Sequence, residues 1–148
     1  MKQEKSKTTS QMNSLIRRTE SIEEFFRDNG DSFVDIRFSD YLYSLLEERK
    51  LLPIDLVEMT TIDRSYVYHI MAGKRMPGRE TVLEIAFALR LNLDTTQHLL
   101  RLAGRAPLYS RNRQDAAIIF CIHHKKTIAE TIEMLLSLDF PTIGKTES

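Results

Sequence analysis

Residues 51–77, LLPIDLVEMTTIDRSYVYHIMAGKRMP, read as two short helices joined by a tight turn and closed by a basic Gly-Lys-Arg loop. The first helix is expected over 53–60, with Pro53 at its first position, where a missing N–H costs nothing. The turn is Thr61-Ile62-Asp63, and Asp63 is the expected N-cap because a carboxylate accepts from the free N–H groups of the next turn. The second helix is expected over 64–71. Leu56, Val57, Ile62, Val67 and Ile70 are spaced to face a common core, which leaves Arg64, Ser65, Tyr68 and His69 outward. Two packed helices with a polar outer face on the second is the geometry that carries side chains into a DNA major groove.

The stretch resembles the helix-turn-helix of the lambda repressor/Cro (XRE-like) family, over roughly residues 39–104. The residues that carry the resemblance are Leu56-Val57, Ile62-Asp63-Arg64-Ser65, Val67, Ile70, Gly73-Lys74-Arg75 with Pro77, and Leu83-Glu84-Ile85-Ala86-Phe87-Ala88-Leu89. The last block is similar to the family's fourth helix, and residues 93–103 to its fifth. The chain departs from the family pattern at Val57 (usually Ala), Thr61 (usually Gly) and Pro53 (usually polar, often Gln). The polar residue often touches a phosphate, so Pro53 removes one contact. The resemblance implies a lambda-repressor-like five-helix helix-turn-helix domain. With few Gly and Pro and no long β-branched alternation the whole chain reads as all-α, with a short N-terminal helix and a C-terminal helical hairpin beside that domain.

It also implies that Arg64, Ser65 and His69 meet base edges. Arg64 is the strongest candidate, because its guanidinium fork matches O6 and N7 of guanine. Ser65 donates or accepts and discriminates weakly; His69 donates to a guanine or a phosphate according to its protonation. Tyr66 and Tyr68 either reach a phosphate or thymine methyl or pack amphipathically on the domain surface. Lys74 and Arg75, in the loop after the helix, suit phosphates, which position a protein without reading sequence. Arg79 is a third candidate for a phosphate.

Outward from this motif, residues 1–20 are polar and are expected to be disordered or frayed. Ser21 and Glu24 have capping-box spacing, opening a short helix over 22–28 that ends at Asn29-Gly30 and carries Ile22, Phe25 and Phe26. Ser39 is the expected cap of a helix over 40–50 with Leu42, Leu45 and Leu46 inward. Helices over 79–89 and 93–103 follow, the second capped by Asn92 and stopped by Gly104. A polar connector over 107–113 leads to a helix over 114–124 and a second one over 128–138, opened by the box Thr127/Glu130. A shift of 35 residues lays this pair on the preceding one, Leu93 on Ile128, Thr96 on Thr131 and Leu100 on Leu135, which reads as a duplicated hairpin. The tail after Pro141 is expected to be loose. Three segments result: 1–38, a flexible segment with a short helix; 39–104, the helix-turn-helix domain; and 105–148, a helical pair with a dimerisation role.

At 148 residues with 42% apolar content the chain is ordinary for a globular protein. It has no apolar run long enough to span a membrane, and its first residues carry lysines without an apolar stretch, so a secretory leader is not expected there. The single cysteine, Cys121, forms no internal disulfide and fits a reducing cytoplasm; a buried small hydrophobe is its expected role, with a redox sensor as the alternative. Formal net charge is zero but unevenly spread. Residues 1–63 carry 9 Lys+Arg against 13 Asp+Glu, residues 64–126 carry 11 against 4, and residues 127–148 carry 1 against 4. No acid lies between Arg64 and Arg79, so the basic charge coincides with the expected DNA face.

Catalytic patterns are missing: no Gly-rich phosphate loop, no nucleophile elbow and no cysteine cluster. No enzyme, cofactor or metal site is expected. Adjacent His123 and His124 point apart on a helix and suit its negative C-terminal end. Two function classes stand. One is a sequence-specific DNA-binding transcriptional regulator acting on double-stranded DNA as a homodimer, paired through residues 115–138; the competing reading of that segment is that it only completes the monomer's core. The other is an interaction adaptor that keeps the helical fold and takes a protein partner through its N-terminal or C-terminal helices.

Overall fold

The computed structural model describes residues 7–33 and 36–143, and among these every regular element is helical. Two compact units divide the chain, Met1–Asp35 and Ile36–Ser148. No helix among the described residues is long and apolar enough to cross a membrane.

The first unit holds α1 (Thr9–Arg18), α2 (Ile22–Asp28) and a 3-10 turn, Gly30–Ser32. The helix α1 corrects the expectation of a disordered polar stretch; residues 1–6 of that stretch lie outside the described residues. Its start is a capping box: Gln11 N–H donates to Thr8 Oγ1 (3.2 Å) and Thr8 N–H to Gln11 Oε1 (2.8 Å). At Ser21 only half of the expected box forms. Glu24 N–H donates to Ser21 Oγ at 3.2 Å, while the Glu24 carboxylate lies 3.6 Å from Arg27. The Asn29 side chain closes α2 on the Phe25 carbonyl (2.9 Å). Phe25, Phe26 and Phe33 meet edge-on or tilted, with centroids 5.4–6.4 Å apart, a favoured aromatic geometry.

The second unit holds α3 (Phe38–Glu48), α4 (Pro53–Met59), α5 (Arg64–Met71), α6 (Arg79–Ala88), α7 (Leu93–Leu102), α8 (Arg113–His123) and α9 (Ile128–Ser137). One core runs through all seven, from Phe38 to Ile143. At its centre is α6, in which every residue from Val82 to Phe87 is buried. A helical segment enclosed on all sides needs apolar residues around its whole circumference, and Val82–Phe87 supplies them apart from Glu84. It packs against α4, α7 and α9. Each fully buried Leu or Ile here contributes about 1.5–3 kcal/mol.

Two starts differ from expectation. The cap of α3 is Arg37, not Ser39, and the helix begins at Phe38 because that ring is core (3% exposed). Asp63 occupies the cap position of α5 through its carbonyl, which accepts from Val67 N–H (3.0 Å), without a side-chain cap bond. The segment after Pro141 is anchored as far as Ile143, which is 2% exposed in the core; residues 144–148 lie outside the described residues.

The 35-residue repeat extends well beyond the three pairs read from the sequence. Arg90 and Lys125 both take positive φ (54° each), as do Gly104 and Asp139 (71° and 60°). Each closes its helix in the same way, the next N–H returning to a carbonyl five residues back: Leu91 to Ala86, Lys126 to Cys121, Arg105 to Leu100, Phe140 to Leu135. Thr96 and Thr131 are both fully buried, and each hydroxyl donates to its own cap carbonyl at 2.8 Å, Asn92 and Thr127 respectively. Leu83 and Ile118, Leu100 and Leu135, and Leu108 and Ile143 are matched buried pairs. Thus α8–α9 reproduces α6–α7 in backbone and core. Cys121, opposite Ala86 in this register, is buried, with its Sγ 3.6 Å from Met134 Sδ.

Candidate nucleic-acid interface

The position of α5 is set from both ends. At the start of the preceding helix, Pro53 takes the first turn and Leu52 N–H donates to Asp55 Oδ2 (2.7 Å). The chain then leaves α4 through Thr60, whose hydroxyl donates to the Leu56 carbonyl (2.7 Å) and accepts from Ile62 N–H (3.3 Å). Thr61 donates through both its N–H and its hydroxyl to Glu84 Oε1 on α6. Thr61 does not take the left-handed conformation, so the turn does not need a glycine there.

Along α5, Val67, Ile70 and Met71 are buried, whereas Arg64, Ser65, Tyr68 and His69 are exposed. Tyr66 is half-buried and packs against the core. The Arg64 guanidinium lies 5.8 Å from the Tyr68 ring centroid, within reach of a cation–π contact that orders the long side chain. Arg64, Ser65, Tyr68 and His69 thus share one outward face.

The helix ends at Gly73 (φ 75°), and Lys74 N–H returns to the His69 carbonyl (2.9 Å). Lys74 and Arg75 follow in the exposed loop, which is anchored beyond them by buried Pro77, whose carbonyl accepts from Arg105 Nε (3.2 Å). Arg79, read from the sequence as a phosphate contact, bonds through Nη2 to Asp115 Oδ1 instead. The other Asp115 oxygen accepts from Tyr109 N–H (2.9 Å). Arg79 and Asp115 therefore tie the first turn of α6 to the first turn of α8.

Two residues of this region carry no flag in the sequence. Glu84 reads as one polar residue in an apolar run and is a buried strut under the turn. Arg37 lies outside the resemblance, yet its guanidinium lies against Gly73 on the side where a Cβ would stand. A Cβ at Gly73 would overlap that group, standing 3.0 Å from Cζ. No group of three or more His, Cys, Asp or Glu that could hold a metal occurs among the described residues. Comparison of the chain with protein-family models, with curated proteins and with solved structures returns no match.

Proposed function

We propose that this protein is a sequence-specific DNA-binding transcriptional regulator of the lambda repressor/Cro type. In this reading α3–α7 form the five-helix domain, α5 enters the major groove, and the chain acts in the cytoplasm as a homodimer. The observation that carries the reading is the two-sided character of α5. One side is locked into the core by Val67, Ile70 and Met71, and the other presents Arg64, Ser65, Tyr68 and His69. A rigidly backed helix with a guanidinium fork at its start suits base reading. The exposed Lys74 and Arg75 beyond its end suit the sugar–phosphate backbone. The dimer rests on apolar residues that the monomer core leaves out. Ile118, Cys121, Ile122 and Leu135 complete the core, while Phe120, Leu136 and Leu138 remain 45–55% exposed.

Selection of bound sites from a random duplex pool tests the reading. A motif of two half-sites about one helical turn apart is expected. A pool that stays random, from protein that is folded, would reject the reading in favour of an adaptor that binds through its apolar helix faces.

A further inference from the structure

Arg37 stands at a place where three features of an anion site coincide. The first is the start of α3, an eleven-residue helix with no side-chain cap bond to its leading N–H groups, which lie at the positive end of the helix dipole. The second is Ser39, on the same turn and only 6% exposed. Its hydroxyl has no hydrogen-bond partner among the described residues, and its Oγ lies 3.5 Å from where a Gly73 Cβ would stand. The third is the guanidinium of Arg37, laid over Gly73 and free of any ion pair among the described residues. Gly73 leads directly into Lys74 and Arg75, both exposed. The left-handed φ of Gly73 and the absent Cβ are what allow the guanidinium to lie against the backbone there.

We infer that Arg37, Ser39 and the leading N–H groups of α3, together with the 73–75 loop, form a seat for one phosphate of the DNA backbone, beside the C-terminal end of α5. The inference rests on the DNA reading above and adds to it a contact made from α3. A guanidinium fork and a helix N-terminus both match the geometry and charge of a phosphodiester. Because the contact reads no base, it strengthens binding to every sequence and fixes how deeply α5 sits in the groove.

The test is a salt titration of binding to a fluorescein-labelled duplex, once with the selected site and once with random sequence, for wild type, Arg37→Gln and Arg37→Lys. Arg37→Gln is expected to lower the log-affinity versus log-salt slope by about 0.9 on both duplexes, with the melting temperature unchanged. Arg37→Lys is expected to keep the slope. An unchanged slope in Arg37→Gln, with or without a lower melting temperature, would overturn the seat and leave Arg37 as a brace for the loop. A loss confined to the selected site would also overturn it. Wild-type protein that binds neither duplex would remove the DNA reading itself, and the seat with it.

Discussion

Glu84, in the middle of α6, accepts two hydrogen bonds from Thr61 in the turn before α5, one from its backbone N–H and one from its hydroxyl (2.7 Å). Glu84 is 4% exposed, so these two bonds replace the water its carboxyl oxygen has lost. The most buried helix of the domain therefore holds the turn that aims α5. Glu84→Ala would leave the Thr61 N–H without this acceptor and is expected to cost about 1–3 kcal/mol. Thr61→Ala keeps the backbone bond and should cost about 1 kcal/mol. Urea unfolding of the two variants checks the ranking; equal losses would mean that the backbone bond contributes nothing.

The Arg79–Asp115 pair separates two roles for one arginine. Asp115 also accepts from Tyr109 N–H, so Asp115→Ala should destabilise the fold by about 1–3 kcal/mol. Arg79→Ala is expected to lower the melting temperature while leaving the salt slope of DNA binding unchanged. A stable variant with a slope lower by about 0.9 would return Arg79 to the phosphate role.

On the outer face of α5, Arg64→Ala is expected to weaken binding to the selected site by about 1–3 kcal/mol and to relax preference at one base pair. Lys74→Ala and Arg75→Ala should weaken binding to all sequences alike, each lowering the slope by about 0.9. An Arg64 variant with unaltered site preference would move base reading to Ser65 or His69.

Acid should loosen the start of α9. The Thr127 N–H donates to Glu130 Oε1 (3.0 Å), the Thr127 side chain adds to this, and Lys126 and Arg90 contribute at longer range; together they hold the Glu130 carboxyl below its ordinary value of 4.5. A group with a lowered folded pKa stabilises above its unfolded pKa, and that contribution is lost as pH falls through the folded one. Carbon-detected NMR titration should place the Glu130 midpoint below that of a free glutamate, and Thr127→Ala should raise it. A midpoint indifferent to Thr127→Ala would assign the shift to the backbone N–H at position 127, which alanine keeps, with Lys126 and Arg90 behind it.

Phe120 and Leu136 are expected to matter for assembly and not for folding. Phe120→Asp with Leu136→Asp should turn a sedimenting dimer into a monomer that still folds cooperatively, because neither side chain is core. A wild-type monomer at micromolar concentration would remove the homodimer.

Much of the second unit was legible because its signals are local. Pro53 at a first turn, Asn92 and the Thr127/Glu130 box at helix starts, and the spacing of Val67 and Ile70 act within one or two turns, where backbone N–H groups and a 3.6-residue period fix the outcome. The same local logic applied to Thr8 and Gln11 opens α1, in a stretch whose polar composition argued for disorder. What only the tertiary structure decided depends on partners far apart in sequence. Glu84 meets Thr61 across 23 residues and Arg79 meets Asp115 across 36, and Arg37 reaches Gly73 from another helix. No periodicity announces such pairs, because a charged side chain at a surface-like spacing stays solvated unless the packing of other helices brings it a partner and removes its water.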